Sequence, residues 1–194
     1  MAKVLALYSS LMGDNGNSTA LVNEFLKKFD ASDVTKRDLV NDALPHLTLS
    51  EMGAWMTPAD QHTDEQKALA AISNNLIEEL KAHDTVVVGM PMYNFGIPSQ
   101  FKAYIDRIAR AGITFKYTET GPVGLLEGKK VYVLCARGGI YAGTPNDSQT
   151  PYLKSFFGFI GLTDVEFVYA EGLNMGEESK AAAVDKAHTA IANI

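Results

Sequence analysis

The chain has 194 residues, of which 46% are hydrophobic and 21% charged, and its formal net charge is −6. That size suits one α/β domain, burying roughly 70% of its unfolded surface without covalent staples. Basic pairs such as Lys27-Lys28 and Lys129-Lys130 are too short to form a patch, which argues against nucleic acid or an anionic membrane as a partner.

Val4 to Tyr8 is a short apolar run and predicts a buried strand. Ser9 to Asn17 is a polar, glycine-bearing loop, after which Leu21, Val22, Phe25, Leu26 and Phe29 recur at helical spacing. Val34 to Leu39 predicts a weaker strand, towards an edge. Thr63-Asp-Glu-Gln66 is a capping box, and Leu69, Ile72, Leu76 and Leu80 form one face of the helix it opens. Thr85 to Met90 is a third strand, apolar on both faces. Pro98 is expected at the first position of a helix that has Phe101, Tyr104, Ile105 and Ile108 along one side. Val131 to Cys135 is a fourth strand. Thr150-Pro151 starts a helix with Leu153, Phe156, Phe157 and Ile160 inward and Gly161 as its stop. Val165 to Tyr169 is a fifth strand, and Glu177 to Ile191 is a last helix whose leading acids suit the dipole.

Apolar strands alternating with amphipathic helices predict a parallel sheet covered on both faces, a three-layer α/β sandwich. Five strands favour the doubly wound order 2-1-3-4-5. Two connections, Val40 to His62 and Ala111 to Gly128, far exceed the roughly 2–6 residues usual in such units and are expected to be lids, binding walls or interface loops. The first carries Pro45, Trp55, Met56 and Pro58; the second carries Phe115, Tyr117 and Gly121-Pro122.

In that strand order the first, third and fourth strands end side by side, and the crevice lies where the first meets the third. Three segments converge there. Ser9 to Ser18 supplies hydroxyls, an amide and the free N–H groups of a helix start, with no Lys or Arg, which suits a single phosphate held by neutral donors. Pro91 to Phe95, through Met92, Tyr93, Asn94 and Phe95, offers apolar and π surface to a flat ring and an amide to its edge. Ala136-Arg137-Gly138-Gly139-Ile140-Tyr141 has paired glycines that let the backbone come close to a ligand. Each segment alone also fits an ordinary cap or turn; their meeting at adjacent strand tips points to a ligand site.

The stretches MYNFGIPSQFKAYIDRIARAGITFKYTETGP, ARGGIY and TPYLKSFFGFIGLTDVEFVYAEG resemble the FMN-dependent NADH-azoreductase and quinone oxidoreductase family, over nearly the whole chain. The resemblance implies a flavodoxin-like fold and makes residues 1–194 a single FMN-binding domain. It also implies a homodimer with one FMN per subunit near the interface, and two-electron reduction of quinones and azo dyes by NADH or NADPH. Ser10, Gly16, Asn17 and Ser18 fall on the family's phosphate loop; Met92, Tyr93, Asn94 and Phe95 on its isoalloxazine stretch; Ala136, Arg137, Gly138 and Gly139 on its second flavin loop. Members often have serine where Ala136 stands. Tyr117 and Phe159 match aromatics expected to cover the flavin face or the substrate, across the dimer, and Asn94 joins them as a pocket residue. Trp55 and Met56 replace more polar or basic neighbours. Hydride is expected to pass from the nicotinamide to flavin N5 and on to an acceptor in the same slot, a ping-pong scheme in which Tyr and Arg side chains could donate to the developing quinol oxygen. The alternative is a flavodoxin-type electron carrier without direct NAD(P)H activity.

Other chemistries lack their residues. There is no Gly-x4-Gly-Lys-Ser/Thr loop and no Gly-x-Ser-x-Gly elbow. Tyr8-Ser9-Ser10 is wrong for a response regulator's acids, and the four histidines have no metal-ligand spacing, so no metal is expected. The one cysteine, Cys135, excludes an intrachain disulfide and reads as buried and inert. The opening apolar run is too short for a signal peptide and no stretch reaches the ~18 residues of a membrane span, so the expected location is the cytoplasm.

Overall fold

Five parallel strands form the central sheet of the computed structural model, which describes residues 2–194. In chain order the elements are β1 (Val4–Tyr8), α1 (Asn17–Leu26), β2 (Val34–Asp38), α2 (Leu49–Met56), α3 (Asp64–Lys81), β3 (Thr85–Pro91) and α4 (Ser99–Ile108), followed by β4 (Phe115–Thr118), β5 (Gly121–Gly124), β6 (Lys130–Ala136), α5 (Gln149–Phe159), β7 (Asp164–Ala170) and α6 (Glu177–Ala192). The sheet runs β2-β1-β3-β6-β7, the expected doubly wound order, with Val4 paired to Val34 on one side and to Thr85 on the other.

Alternation along the strands divides the core in two. Leu5, Leu7, Val86, Val88, Val131 and Val133 face α3, α4 and α5, meeting Ile77, Phe101, Tyr104 and Phe157. Val4, Ala6, Val87, Leu134 and Ala136 face the other way, onto Leu21, Val22 and Phe25 of α1 and Ala187 and Ile191 of α6. Every inner strand is apolar on both faces because helices cover both.

Three local expectations shift. Pro98 is the N-cap of α4, with ψ 140°, rather than its first helical residue; its carbonyl accepts from Lys102 N–H at 3.0 Å. The buried face of α3 is Ala70, Ser73, Leu76, Ile77 and Leu80, while Leu69 and Ile72 are only half-buried. Phe29 lies beyond the end of α1 and packs its ring on Phe25, centroids 5.5 Å apart. Gly161 stops α5 as expected, at φ +99°.

The two long connections are structured. The first folds α2, which opens on a capping box in which the Thr48 hydroxyl accepts from Glu51 N–H and the Glu51 carboxylate accepts from Thr48 N–H. Glu51 then reaches under the helix to the buried Arg107 of α4: Nε–Oε1 is 2.9 Å and Nη2–Oε2 is 2.8 Å. Trp55 is held by the Arg110 guanidinium, 4.6 Å above its ring. The second connection is the antiparallel hairpin β4–β5, whose base lies on the end of α5 through Leu126 N–H to Ile160 O at 3.0 Å.

Cys135 is fully buried on β6, and burial pushes its thiol up to about 12, against the opposing pull of Arg137. The thiolate is the reactive form, so the native protein is expected not to react with a disulfide reagent at pH 8 and to react fully once unfolded in guanidinium. Rapid labelling of the native chain would show that β6 opens.

Candidate functional site

The site lies at the carboxyl edge of the sheet, over the point where the chain winds outward from β1 in both directions. A cleft of about 370 Å³ there is lined by Ser10, Met12, Asn15, Gly16, Asn17 and Ser18 from the β1–α1 connection, Pro91, Met92 and Tyr93 from the tip of β3, Ala136, Arg137 and Gly138 from the tip of β6, and Leu173 and Asn174 from beyond β7. It continues into a second space of about 210 Å³ between Met92, Asn94, Phe95, Gly138, Tyr141 and Asn174.

At one end is the start of α1. Its N-cap is Gly16, and no side chain caps it. The N–H groups of Asn17, Ser18 and Thr19 therefore have no partner among the described residues and point out of the helix with its positive dipole end. The Ser18 hydroxyl is buried and equally without a hydrogen-bond partner. A Cβ on Gly16 would overlap the Ser10 hydroxyl and lie 2.8 Å from Ser10 Cβ, so only glycine lets this loop close. A bare helix start of ten residues, with an orphaned hydroxyl beside it, fits a phosphate held by neutral donors.

At the other end is the turn Tyr93–Gly96. Tyr93 N–H donates to Gly96 O at 3.1 Å and Gly96 N–H to Tyr93 O at 2.9 Å. Between them Asn94 has φ +50° and Phe95 has φ +66°. Asn tolerates the left-handed region; Phe there is strained by about 1–2 kcal/mol. The turn nonetheless presents Phe95 54% exposed, edge-on to Tyr141 with ring centroids 5.6 Å apart. The Tyr93 hydroxyl accepts from Leu11 N–H at 3.0 Å and ties this turn to the β1–α1 loop.

The β6 tip adds backbone donors. Neither Gly138 N–H nor Gly139 N–H has a partner among the described residues. A Cβ on Gly138 would sit 2.5 Å from Asn174 Nδ2, so the glycine allows Asn174 to reach the cleft.

Arg137 departs from the expected picture. Its side chain is fully buried and turned away from the cleft: Nη2 is 3.1 Å from Asp147 Oδ1, Nη1 is 3.1 Å from Glu171 Oε1, and Nη2 is 3.0 Å from Thr150 Oγ1. Its N–H donates to Ala170 O and its carbonyl accepts from Leu173 N–H. Burial alone would lower its pKa, but the neighbouring Cys135, Asp147 and Glu171 raise it overall. Asp147 is likewise pulled up by burial yet ends below the usual range, through the hydrogen bonds of Thr150 and Arg137. This guanidinium is buried with all three nitrogens engaged away from the cleft, so it is not placed to donate to a substrate oxygen.

Of the residues singled out in the sequence, Ser10, Gly16, Asn17, Ser18, Met92, Tyr93, Asn94, Phe95, Ala136, Arg137 and Gly138 do line this continuous space. Gly139 lies behind it: a Cβ there would be 2.8 Å from the Tyr141 ring. Tyr117 and Phe159 are elsewhere. Both belong to an aromatic group with Phe115, whose ring centroid is 4.2 Å from that of Phe159 and 5.5 Å from that of Tyr117. That group sits at the far end of α5, an eleven-residue helix roughly 16 Å long. Tyr141, the last residue of the third converging segment, and Asn174, which the sequence did not single out, complete the cleft. Among the described residues, no group of three or more His, Cys, Asp or Glu side chains is placed to hold a metal ion, and no helix is long and apolar enough to cross a membrane.

A doubly wound sheet with an uncharged anion cradle beside an aromatic turn defines an α/β protein that takes a phosphorylated, planar ligand at its topological switch point. The flavodoxin-like fold family matches residues 2–194, and the chain belongs to that family. It is 61% identical over 181 residues to the FMN-dependent NADH:quinone oxidoreductase of Alteromonas mediterranea, covering 92% of this chain and 90% of that one. Among solved structures, an azoreductase from Bacillus anthracis superposes with a TM-score of 0.87 at 31% identity, over the full length of both chains. An FMN-dependent NADH-azoreductase from the same species, in complex with FMN, superposes with a TM-score of 0.86 at 29% identity, covering 100% of this chain and 99% of that one.

Proposed function

We propose that residues 1–194 form one FMN-binding domain. In this reading the protein is an NADH- or NADPH-dependent oxidoreductase that reduces quinones and azo compounds, as a homodimer, in the cytoplasm where its nicotinamide donor is found. The observation that carries this reading is the bare start of α1 with the orphaned Ser18 hydroxyl, set beside the left-handed turn at Asn94-Phe95. The names of the relatives support it from a separate direction.

When bound, FMN supplies two-electron hydride exchange at N5 between NAD(P)H and a quinone or azo acceptor, each entering the same slot in ping-pong order. The chain's own part is binding and orientation. Asn17, Ser18 and Thr19 N–H and the Ser10 and Ser18 hydroxyls hold the phosphate. Met92, Asn94 and Phe95 hold one side of the ring. The Gly138 N–H at the rim of the cleft is a fixed dipole that would favour negative charge on the reduced ring. The Arg137 side chain is turned away from the cleft, so only its backbone can meet a ligand there. Proton delivery to a quinol oxygen falls to solvent or to a side chain of a second copy.

Tyr117 is 74% exposed, at the tip region of the β4–β5 hairpin, and in this reading it covers the partner's cleft together with Phe159. Leu49, Met52 and Met56 also stand exposed, at i, i+3 and i+7 on α2.

The test is spectroscopic first. The purified protein is expected to be yellow and to bleach on NADH addition under argon. Benzoquinone should then restore the colour, with no partner reductase; a flavodoxin-type carrier would bleach slowly or not at all. Varying NADH at several benzoquinone concentrations is expected to give parallel double-reciprocal lines, and intersecting lines would reject the shared slot.

A further inference from the structure

The Phe95 φ of +66° needs a cause, because a bulky side chain leaves the left-handed region unless its surroundings hold it there. The cause is traceable to the start of α5. Gln149, the first residue of α5, donates from Nε2 to Pro91 O at 3.0 Å and to Gly96 O at 3.2 Å, the two carbonyls that bracket the turn. Its neighbour Ser148 donates from its hydroxyl to Phe95 O.

What orients Gln149 is Arg137. Arginine carries donors only, so the carboxamide oxygen must face Arg137 Nε, at 3.3 Å, and the carboxamide nitrogen must face the turn. The same guanidinium holds Glu171, whose Oε1 also accepts from Tyr141 N–H at 3.0 Å and Ala142 N–H at 2.9 Å. One buried cation thus fixes the turn after β3 directly through an amide, and the loop after β6 through a carboxylate. The Phe95 and Tyr141 rings meet between them.

We propose that Gln149, its carboxamide oriented by Arg137, is a positioning residue that latches the Tyr93–Gly96 turn in its left-handed form and so sets the affinity of the cleft for flavin. The proposal rests on the FMN reading above for its consequence, but the latch itself is a property of the chain.

Two substitutions and one background test it. Gln149→Glu keeps the oxygen facing Arg137 and sets a second oxygen against Pro91 O and Gly96 O, reversing the latch without removing bulk. Gln149→Ala removes it. Phe95→Gly makes the turn Asn-Gly, the pair that a two-residue turn with both central φ positive favours most, so that it needs no latch. The readouts are FMN affinity, from quenching of flavin fluorescence on titration of the apo chain, and amide hydrogen exchange of Gly96 N–H without ligand. Both Gln149 variants are expected to weaken FMN binding about tenfold and to speed Gly96 exchange about tenfold, the loss of one well-made interaction. In the Phe95→Gly background, adding Gln149→Ala is expected to change exchange by less than about threefold. The same tenfold change in both backgrounds, or none in either, overturns the latch. If the wild-type chain binds no FMN, the functional reading fails while the exchange data still decide the latch.

Discussion

Replacing Arg107 with alanine is expected to destabilise the protein by roughly 3–5 kcal/mol, because it leaves the Glu51 carboxylate buried and uncompensated. The site justifies that magnitude. Arg107 is 0% exposed and Glu51 2%. The guanidinium makes the paired contact to Glu51 and also donates to Pro45 O at 2.7 Å and Ala103 O at 3.0 Å, so four acceptors each lose a donor at once. Three of these lie in the 40–62 connection, so the loss falls on the docking of α2 rather than on the sheet. The measurement is the free energy of unfolding from urea titration. Glu51→Ala should cost a comparable amount, and the double variant less than the sum, since neither charge is then left alone. A loss below about 1 kcal/mol, the range of an exposed pair, would show that water reaches this site.

The sheet was legible because its signal is local and repeated. Three apolar runs and two weaker, half-polar ones, separated by amphipathic helices, leave few topologies, and the observed β2-β1-β3-β6-β7 order is the doubly wound one. The three converging tips follow from that order alone. The inserted elements were harder for a physical reason. The apolar residues Leu49, Met52 and Met56 of α2 do not face this chain's core, so burial gives that helix no periodic stripe to read. Its capping box, Thr48 to Glu51, was nonetheless present in the sequence and is the signal that could have found it. The hairpin turns through Glu119-Thr120, not through an Asn-Gly or Asp-Gly pair, and so lacks the short-range mark of a hairpin. The commitment of Arg137 could not be read at all. An arginine after a strand is ordinarily a surface residue or a ligand contact; here Asp147, Gln149 and Glu171, up to 34 residues away in sequence, converge to bury it. Asn174 was within reach: it follows the tip of β7, the next strand beside β6, and the topology places that tip at the same edge.

Gly124→Ala is expected to separate cofactor binding from turnover. A Cβ on Gly124 would overlap the backbone of Ile160 and Gly161, and no side-chain rotation relieves a backbone clash. Gly161 is itself held at φ +99° at the end of α5, and Leu126 N–H is bonded to Ile160 O, so the hairpin must move instead. Overpacking of this kind costs roughly 1–3 kcal/mol, which the fold can bear. The displaced hairpin carries Phe115 off Phe159 and Tyr117 off its present position. The cleft of the same chain lies beyond the other end of α5, and sites so far apart couple by no more than about 0.3–0.5 kcal/mol. FMN affinity is therefore expected to stay within about threefold of wild type. Quinone reduction depends on Tyr117 only if the hairpin covers a second copy's cleft. In that case kcat/KM for benzoquinone should fall at least about tenfold, the scale of one lost contact, and sedimentation should show a weakened dimer. Unchanged turnover from a chain whose hairpin has moved would leave Tyr117 and Phe159 without a part in the reaction.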